Sequence, residues 1–344
     1  MPHPVLTAAI DAVASGRDLS VDETAEVLAT IMSGDAGEVQ ISAFLIALRA
    51  KGETEEELAG LARTMRELAT PVRCERDDVI DTCGTGGGRR TFNVSTTAAL
   101  IAAGAGCAVA KHGNRSATSL SGSADVLEAL GARIDLDAGA VARCIDEVGF
   151  GFLFAPAHHQ ATRYVVPVRK ELAVRTVFNL LGPLTNPAGA RRQLIGVSDP
   201  AYLERMGGAL ARLGTDRALL VSSEDGLDEM STSGVTRVVE VEGSELRTST
   251  FAPADVGLPT AAFEEVAGST PEENAAITRA VLDGERGPRR DLAVLNAGAA
   301  IYVAGRAGSI AEGVARAGEA IDSGAARETL DRYVELTHAL APVS

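Results

Sequence analysis

The sequence contains a glycine-rich turn that is suited to phosphate binding, with Gly84, Gly86, Gly87 and Gly88. The turn lies between residues 77–81, which predict a short strand, and the Ala-rich residues 97–103, which predict a helix. Favoured N-cap residues stand where that helix should begin: Asn93, Ser95 and Thr96. Backbone amides at a glycine turn and a helix N-terminus form an anion site. The spacing matches neither the Walker loop nor the dinucleotide fingerprint, so a purely structural turn stays open.

A second polar segment, residues 111–123, follows the apolar residues 105–110. Ligands bind where the carboxyl ends of parallel strands meet, so both loops would face one crevice. Lys111 offers a point charge to a phosphate, and Arg115 offers a planar fork for paired oxygens. Directional hydrogen bonds would come from the same segment: His112, Asn114, Thr118, Ser119, Ser121 and Ser123. A solvated loop that caps a helix over 124–130 is the alternative, but this polar density favours a binding site.

The segments that must position these loops are predicted to be helical at the start of the chain and to alternate between strands and helices in the rest of it. Residues 1–70 have helical periodicity, and Ser20 with Glu23 forms a capping-box pattern. From residue 77, apolar strand-like segments alternate with Ala-rich helices: 107–110, 150–154, 193–197 and 218–222. Residues 235–241 and 245–250 predict a hairpin at the sheet edge. The predicted fold class is α/β, with a small all-helical domain and a larger α/β domain built on a mostly parallel central sheet.

Composition excludes several classes of protein. The 344 residues are 46% hydrophobic but only 3% aromatic, so the core must be aliphatic. A net charge of −15 argues against a nucleic-acid surface, although local cations can still bind phosphates in a cleft. Four cysteines without a C-x-x-C pair indicate reduced thiols. Without a signal-like start or an apolar segment of membrane-spanning length, we expect a soluble, cytoplasmic protein that contacts no membrane.

The two polar loops resemble the phosphoribosyl diphosphate loops of the anthranilate phosphoribosyltransferase family, usually written G-T-G-G-D and K-H-G-N-R. The resemblance extends over nearly the whole chain. Further matching segments, in the family's order, are 40–54, 152–159, 167–169, 175–187, 225–229 and 296–305. Several independent motifs in the right order are far more specific than one glycine turn.

The resemblance implies a discontinuous helical domain, residues 1–72 plus about 167–191, hinged to an α/β domain of residues 73–166 plus 192–344. It implies a homodimer formed through the helical domains and a fold shared with the pyrimidine nucleoside phosphorylases. The implied reaction is displacement of pyrophosphate from C1 of 5-phosphoribosyl 1-diphosphate by the amine of anthranilate, a step of tryptophan biosynthesis. Small molecules would then be the partners.

Magnesium suits the departing pyrophosphate, because this hard cation takes one or two carboxylates plus phosphate oxygens. The resemblance implies two Mg²⁺ ions, one or both arriving with the diphosphate. It assigns the metal-associated positions to Ser95, Asp228 and Glu229. Taken alone, Asp228 and Glu229 could equally be an acidic cluster at the start of a helix.

The remaining site residues follow from the same resemblance. Donor binding is assigned to Gly84, Thr85, Gly86, Gly87, Thr91, Asn93, Ser95, Thr96, Lys111, Thr118, Ser119 and Ser123. Acceptor binding is assigned to Gly84, His112, Asn114, Ala155, Pro156, His159, Arg169 and Gly182. The residues expected to carry catalysis are Lys111, His112, Asn114 and Arg169. Arg169 can pair bidentately with an aromatic carboxylate, and His112 is interpreted as an orienting hydrogen-bond donor, because an aniline nitrogen needs no strong base.

The sequence departs from the family pattern at three places. Gly88 replaces the aspartate of G-T-G-G-D, in a loop that is one residue shorter and continues with Arg89 and Arg90. Ser222-Ser223 replaces a frequent His-Gly pair, and Gln160 and Thr162 replace Pro and Met beside the acceptor path. We therefore expect altered magnesium dependence and tighter diphosphate binding.

Three other functions stay open at this point. The first is a phosphoribosyltransferase that acts on a different aromatic acid in a specialised pathway. The second is a nucleoside phosphorylase, which the motif around Arg169 and Gly182 disfavours. The third is a non-catalytic binding protein on the same scaffold, which the intact Lys111, Asn114 and acidic pair disfavour.

Overall fold

A computed structural model describes residues 1–116 and 120–341 of the chain, and its first part is helical. The amino-terminal helices are α1 (Pro4–Ala14), α2 (Val21–Ser33), α3 (Glu38–Lys51) and α4 (Glu55–Leu68). The predicted capping box is confirmed, because the Ser20 hydroxyl accepts the Glu23 amide hydrogen and the Glu23 carboxylate accepts that of Ser20. Thr54 and Glu57 make the same reciprocal pair at the start of α4.

A buried carboxylate ties these helices to one another. Glu57 accepts hydrogen bonds from the Leu19 amide at 3.0 Å, the Thr54 amide at 2.8 Å and the Lys51 Nζ at 3.0 Å. A buried charge is tolerated only when it is paired and hydrogen-bonded, and Glu57 meets both conditions. The carboxylate therefore fixes the start of α4 against the end of α3 and the loop before α2.

The rest of the chain alternates strands and helices. The strands are β1 (Ile80–Gly84), β2 (Val109–Gly113), β3 (Phe150–Phe154), β4 (Arg192–Gly196), β5 (Arg217–Ser223), β6 (Thr236–Glu242) and β7 (Glu245–Phe251). The helices are α5 (Val94–Gly104), α6 (Ser123–Ala129), α7 (Ala138–Val148), α8 (Ala155–His158), α9 (Val166–Leu172), α10 (Phe178–Leu184), α11 (Leu203–Arg212), α12 (Pro271–Leu282), α13 (Pro288–Val303), α14 (Ile310–Asp322) and α15 (Ala325–Leu340).

The strands form one sheet in the order β3-β2-β1-β4-β5-β6-β7. The pairs from β3 to β5 are parallel, and β6 and β7 make the antiparallel hairpin that the sequence predicts at the edge. The fold class is therefore confirmed. Because β1, β2 and β4 run in the same direction, the loops that follow them emerge at one edge of the sheet.

Two of the predicted strands lie two or three residues too early in the sequence. The strand predicted over 77–81 spans residues 80–84, and the strand predicted over 107–110 spans residues 109–113. The second predicted strand ends before Lys111 and His112, because polar residues after an apolar segment indicate the end of a strand. Both side chains are nevertheless buried, and the backbone at these positions pairs with β3.

Two hydrophobic cores lie on opposite faces of the sheet. One contains α5, α7 and α13 to α15; the other contains α1 to α4 together with α9, α10 and α11. Side chains of β4 alternate between them, since Leu194 belongs to the first core and Ile195 to the second. The division into domains at residues 1–72 plus about 167–191 stays a prediction, and the shared core of α9 and α10 with the amino-terminal helices agrees with it. Within the described ranges, no helix is both long and apolar enough to cross a bilayer.

We expect Glu57→Ala to lower the free energy of unfolding by about 3 kcal/mol, because it leaves buried donors without their carboxylate. Urea unfolding followed by circular dichroism measures this change. The matched control is Glu56→Ala, since the neighbouring Glu56 is half-buried and pairs with Arg212 at 3.2 Å, as surface ion pairs do. Equal stability losses in the two variants would contradict the role given to Glu57.

Candidate active site

The glycine turn after β1 lies directly against the acidic loop that follows β5. Gly86 and Gly87 have φ values of 65° and 91°, which favour glycine, and the Arg89 amide donates to the Gly226 carbonyl at 2.8 Å. A Cβ at Gly88 would lie 2.5 Å from Asp228 Oδ1, and one at Gly84 would lie 3.0 Å from Asp228 Oδ2. The absence of side chains at the turn therefore lets the carboxylate approach the backbone.

The acidic loop is held from three sides. Its backbone crosses the end of β4, where a Cβ on Gly196 would collide with the Asp228 carbonyl. Ser223 Oγ donates to the Glu229 carbonyl at 2.7 Å, and the Asn296 amide group bonds both backbone groups of Met230. Residues 224–231 form turns, so the alternative of an acidic cluster at a helix start is wrong. Asp228 and Glu229 are thus fixed at the same sheet edge as the glycine turn.

The start of α5 supplies amides to this edge. Asn93 occupies the N-cap position as predicted, although its side chain makes no capping hydrogen bond. It instead donates to the Ser121 carbonyl at 3.3 Å and accepts from Asn274 at 2.9 Å. Ser95 and Glu229 line the same cavity, which brings two of the predicted metal positions together.

Lys111 lies beneath the turn and is almost completely buried. Its Nζ donates to the Thr82 carbonyl and, at 3.2 Å, to Ser95 Oγ. Burial lowers the pKa of Lys111 and raises that of Asp81, whose carboxylate accepts the His112 amide at 3.0 Å. Burial, reinforced by the neighbouring Asp228 charge, raises the pKa of Glu229 to about 8. The Lys111 cation therefore balances carboxylates inside the protein and reaches the cavity side through Ser95.

A cavity of about 170 Å³ opens between these segments. Predicted site residues that line it are Gly86, Gly87, Thr91, Asn93, Ser95, Asp228 and Glu229. Lining residues that the sequence did not indicate include Phe92, Gly268, Ser269 and Asn274. Thr270 followed by Glu273 signals a helix start close by, but nothing in the spacing indicates that this helix returns to the glycine turn.

Several predicted donor residues lie away from the cavity. Thr85 Oγ1 contacts Ser198 Oγ at 3.2 Å, and Thr96 is buried in the first turn of α5. Ser123 Oγ donates to the Asn114 carbonyl at 3.3 Å, at the start of α6. Thr118 and Ser119 lie outside the described residues. Arg115 is not available as the bidentate phosphate ligand that the sequence suggested, because its guanidinium pairs with Glu128 at 2.5 Å and Asp125 at 2.9 Å.

The predicted acceptor residues gather around the end of β2. His112 Nδ1 contacts the Gly182 carbonyl at 3.1 Å, and the ring of His159 lies 5.1 Å from that of His112. A carbonyl only accepts, so Nδ1 carries the hydrogen and a neutral His112 presents Nε2 as an acceptor. Burial lowers the pKa of His112 to about 3 and that of His159 to about 4. Among the described residues, neither Nε2 has a hydrogen-bond partner, so both are available to a ligand.

Other acceptor candidates lie on short helices beside these rings. Arg169, on α9, is half-buried with its guanidinium 5.3 Å from the centre of the Phe178 ring, and burial lowers its pKa. Ala155 and Pro156 open α8 directly after β3. Asn114 is exposed, and its Oδ1 accepts the Arg115 amide at 2.7 Å. Ala155 is linked to the histidine pair directly, because its carbonyl accepts the His159 amide at 2.9 Å.

Comparison with known proteins identifies the family. Residues 76–327 match the α/β domain of a glycosyl transferase family, and residues 7–69 match its helical bundle domain. The chain is 54% identical to the anthranilate phosphoribosyltransferase of Symbiobacterium thermophilum, over 95% of this chain and 96% of that protein. The Moorella thermoacetica enzyme is 52% identical over 96% and 98% of the two chains. The chain belongs to the anthranilate phosphoribosyltransferase family.

Solved structures of this family agree with the fold. The Thermus thermophilus anthranilate phosphoribosyltransferase superimposes with a TM-score of 0.91 at 47% identity, covering 96% of this chain and 99% of that one. The Saccharomyces cerevisiae enzyme, in complex with phosphoribosyl diphosphate and magnesium, has a TM-score of 0.88 at 29% identity, with 97% and 98% covered.

The departure from the anthranilate phosphoribosyltransferase pattern at Gly88 has a steric explanation. Gly88 contacts Asp228 so closely that an aspartate there would have to move the acidic loop. Arg89 turns away from Asp228: its guanidinium lies 3.5 Å above the Phe263 ring, and its amide donates to the Gly226 carbonyl at 2.8 Å. The shorter loop therefore requires glycine at position 88. Gly88→Asp alone would not restore the loop of the family pattern.

We expect Gly88→Ala to lower kcat/KM for the phosphoribosyl donor by about 100-fold, because displacing Asp228 misplaces the reacting groups. The magnesium concentration for half-maximal activity should rise with it. Gly37→Ala is the matched control, since no atom lies within 4 Å of its Cβ position. If Gly88→Ala kept the wild-type dependence of activity on magnesium and donor concentration, displacement of Asp228 by a Cβ at this position would be ruled out.

His112→Asn tests the assignment of His112 as a neutral group. We expect kcat/KM for anthranilate to fall by about 10-fold through loss of a hydrogen bond. The shape of the pH profile between pH 6 and 8 should not change, because a pKa of about 3 keeps His112 neutral throughout this range. His338→Asn, an exposed histidine bonded to the Gly131 carbonyl, serves as the control. An inflection near pH 6.5 that disappears only in His112→Asn would instead indicate a general base.

Proposed function

We propose that this protein transfers the phosphoribosyl group from 5-phosphoribosyl 1-diphosphate to the amine of anthranilate, giving N-(5-phosphoribosyl)anthranilate and pyrophosphate in tryptophan biosynthesis. The observation that carries the proposal is one sheet edge that combines two elements. A glycine turn there packs directly against an acidic loop, and two neutral histidines and the arginine-bearing segment that contacts Gly86 lie beside it. The first element suits a diphosphate with its metal, and the second suits an aromatic carboxylate with its amine.

The donor would bind in the cavity through backbone amides and hydroxyls. Gly87, Thr91, Asn93 and Ser95 border the cavity at the positive end of the α5 dipole, which favours an anion. Lys111 would contribute a long-range positive charge through Ser95, with which it is already bonded. Thr118, Ser119 and Ser123 remain proposed contacts to the donor on the strength of the family pattern.

Magnesium fits the residues present. Asp228 and Glu229 are adjacent, half-buried carboxylates, and loss of solvent contact raises the pKa of each, as expected where a cation is needed for full ionisation. Within the described ranges, no group of three or more His, Cys, Asp and Glu side chains is placed to hold a metal ion, so phosphate oxygens and water would complete the coordination. Bound there with Ser95 as a further ligand, magnesium would neutralise the charge that builds on the departing pyrophosphate. We propose two ions, at least one of which arrives with the diphosphate.

The acceptor would bind through Arg169 and the histidine pair. The Arg169 guanidinium would pair with the anthranilate carboxylate, and its partly buried setting strengthens such a pair. His112 Nε2 would accept a hydrogen from the amine and thereby turn the nitrogen lone pair towards C1 of the ribose. Gly182, which fixes the His112 ring through its carbonyl, would complete this side together with Ala155, Pro156 and His159.

Catalysis would rest on positioning and electrostatics. The amine lone pair forms the bond to C1 while the bond from C1 to the pyrophosphate oxygen breaks, and one amine proton leaves afterwards. The aniline nitrogen is neutral near pH 7, so no residue has to remove a proton before attack. The α5 amides and the buried cation oppose the negative charge of the leaving group, which is the largest electrostatic change in the reaction.

We also propose a homodimer in the cytoplasm. Val39 and Ile46 of α3 are exposed large hydrophobic side chains seven residues apart, on one face of the helix. Such a face suits an interface with a second copy, and its position on the helical domain agrees with the family's mode of association. Four unpaired cysteines are compatible with a reducing compartment.

The function is tested by incubating the purified protein with the donor, Mg²⁺ and a panel of aminobenzoates. We expect turnover of anthranilate, release of pyrophosphate, and much slower reaction with 3- and 4-aminobenzoate or a hydroxylated anthranilate. Turnover of another aromatic acid without turnover of anthranilate would favour the specialised enzyme. Donor binding without any product would favour a binding protein.

We expect Arg169→Met to raise the KM for anthranilate by about 10- to 100-fold, as for loss of a charge-assisted hydrogen bond of about 1.5–3 kcal/mol. The KM for the donor should change by less than about 2-fold, because its site lies on the other side of the turn. Steady-state kinetics with each substrate varied in turn separates the two. Lys170→Met, the exposed neighbour on the same helix, is the control. If both KM values changed by the same factor, Arg169 would not be a specific partner of the anthranilate carboxylate.

A further inference from the structure

Arg175 joins the proposed acceptor segment to the proposed donor turn. It lies in the connection between α9, which carries Arg169, and α10, which carries Gly182. Its Nη1 donates to the Gly86 carbonyl at 2.9 Å. A Cβ on Gly87 would lie 1.9 Å from the same nitrogen, so the guanidinium rests on the turn itself.

The backbone around Arg175 is held in an unusual conformation. Ala173 has a φ of 52°, and within the described ranges it is the one residue other than glycine with a positive φ. Arg49 of α3 donates to the Arg175 carbonyl at 2.8 Å, and the Thr176 amide donates to Asn179 Oδ1 at 3.0 Å. Backbone strain persists only where the surroundings fix it, and it concentrates at functional positions. The connection is therefore built to hold one geometry.

Gly86 lies between two oppositely charged side chains. Its carbonyl accepts a hydrogen bond from Arg175 on one side, and the glycine turn packs against Asp228 on the other. The positive charge of Arg175 also acts on the Asp228 carboxylate. A displacement of Arg175 would therefore change both the path of the turn and the field at the acidic pair.

We propose that Arg175 is a positioning residue that couples binding of the two substrates. Seating of the acceptor between α9 and α10 holds the guanidinium on Gly86, and this fixes the turn and Asp228 for the diphosphate. Coupling of binding is reciprocal, so a ligand in the donor cavity tightens binding of the acceptor by the same factor. The inference rests on the proposed function, because it takes these two regions as the donor and acceptor sites.

The test measures the dissociation constant of anthranilate by calorimetry, with and without saturating magnesium pyrophosphate as a non-reacting probe of the donor site. In the wild type we expect pyrophosphate to tighten anthranilate binding by about 5-fold or more. Arg175→Met should reduce this factor to below about 2-fold, and Arg175→Lys should restore part of it, because a lysine can still donate to the Gly86 carbonyl. Arg49→Met, which leaves the guanidinium in place but frees the backbone, should give an intermediate factor.

Arg163→Met is the matched control, because Arg163 is an exposed arginine of the same region that bonds Tyr164 at 2.8 Å. It should keep the wild-type factor, and unchanged thermal melting of each variant verifies folding. An unchanged factor in Arg175→Met overturns the proposal. So does weaker pyrophosphate binding with the coupling factor unchanged at saturation, which would make Arg175 a direct ligand. A wild type that makes product but shows no coupling defeats this inference alone, whereas absence of product defeats the proposed function.

Discussion

The close packing of the glycine turn against Asp228 is the contact on which the site depends. The loops after β1 and β5, which are far apart in sequence, must approach so closely that no side chain fits between them. Glycine at 84, 88 and 196 leaves that space empty, since a Cβ at any of them would touch or overlap Asp228. The parallel order of β1, β4 and β5 brings the loops to one edge, and the glycines let them meet there.

The same edge contains an unusual concentration of buried charge in an acidic protein. Asp81 and Glu229 lie close to Lys111, and Asp228 is next to Glu229; burial shifts the pKa of each of these groups so that its neutral form is favoured. Such an arrangement is costly for an empty protein and suits one that receives a polyanion together with divalent cations. A net charge of −15 is therefore compatible with a phosphate substrate, because the cations and amides act at short range inside the cleft.

Much of the architecture could be predicted from local patterns. The capping box at Ser20, the strand over 150–154 and the edge hairpin follow from turn chemistry and alternation, and the structure agrees with them. Predictions failed where a polar side chain finds a distant partner. Arg115 turns to Glu128, and Lys111 continues a strand because its charge is balanced inside the fold.

Sequence by itself determined the fold class, the order of the motifs and the family, because glycine spacing, periodicity and motif order are properties of neighbouring residues. Only the tertiary structure decided which of these residues meet. It joined Gly88 to Asp228, brought Asn274 to the cavity and set Arg175 on the glycine turn, 89 positions away in sequence. The reason is physical: a hydrogen bond between side chains far apart in sequence depends on the packing of every element between them, and no local pattern records that packing.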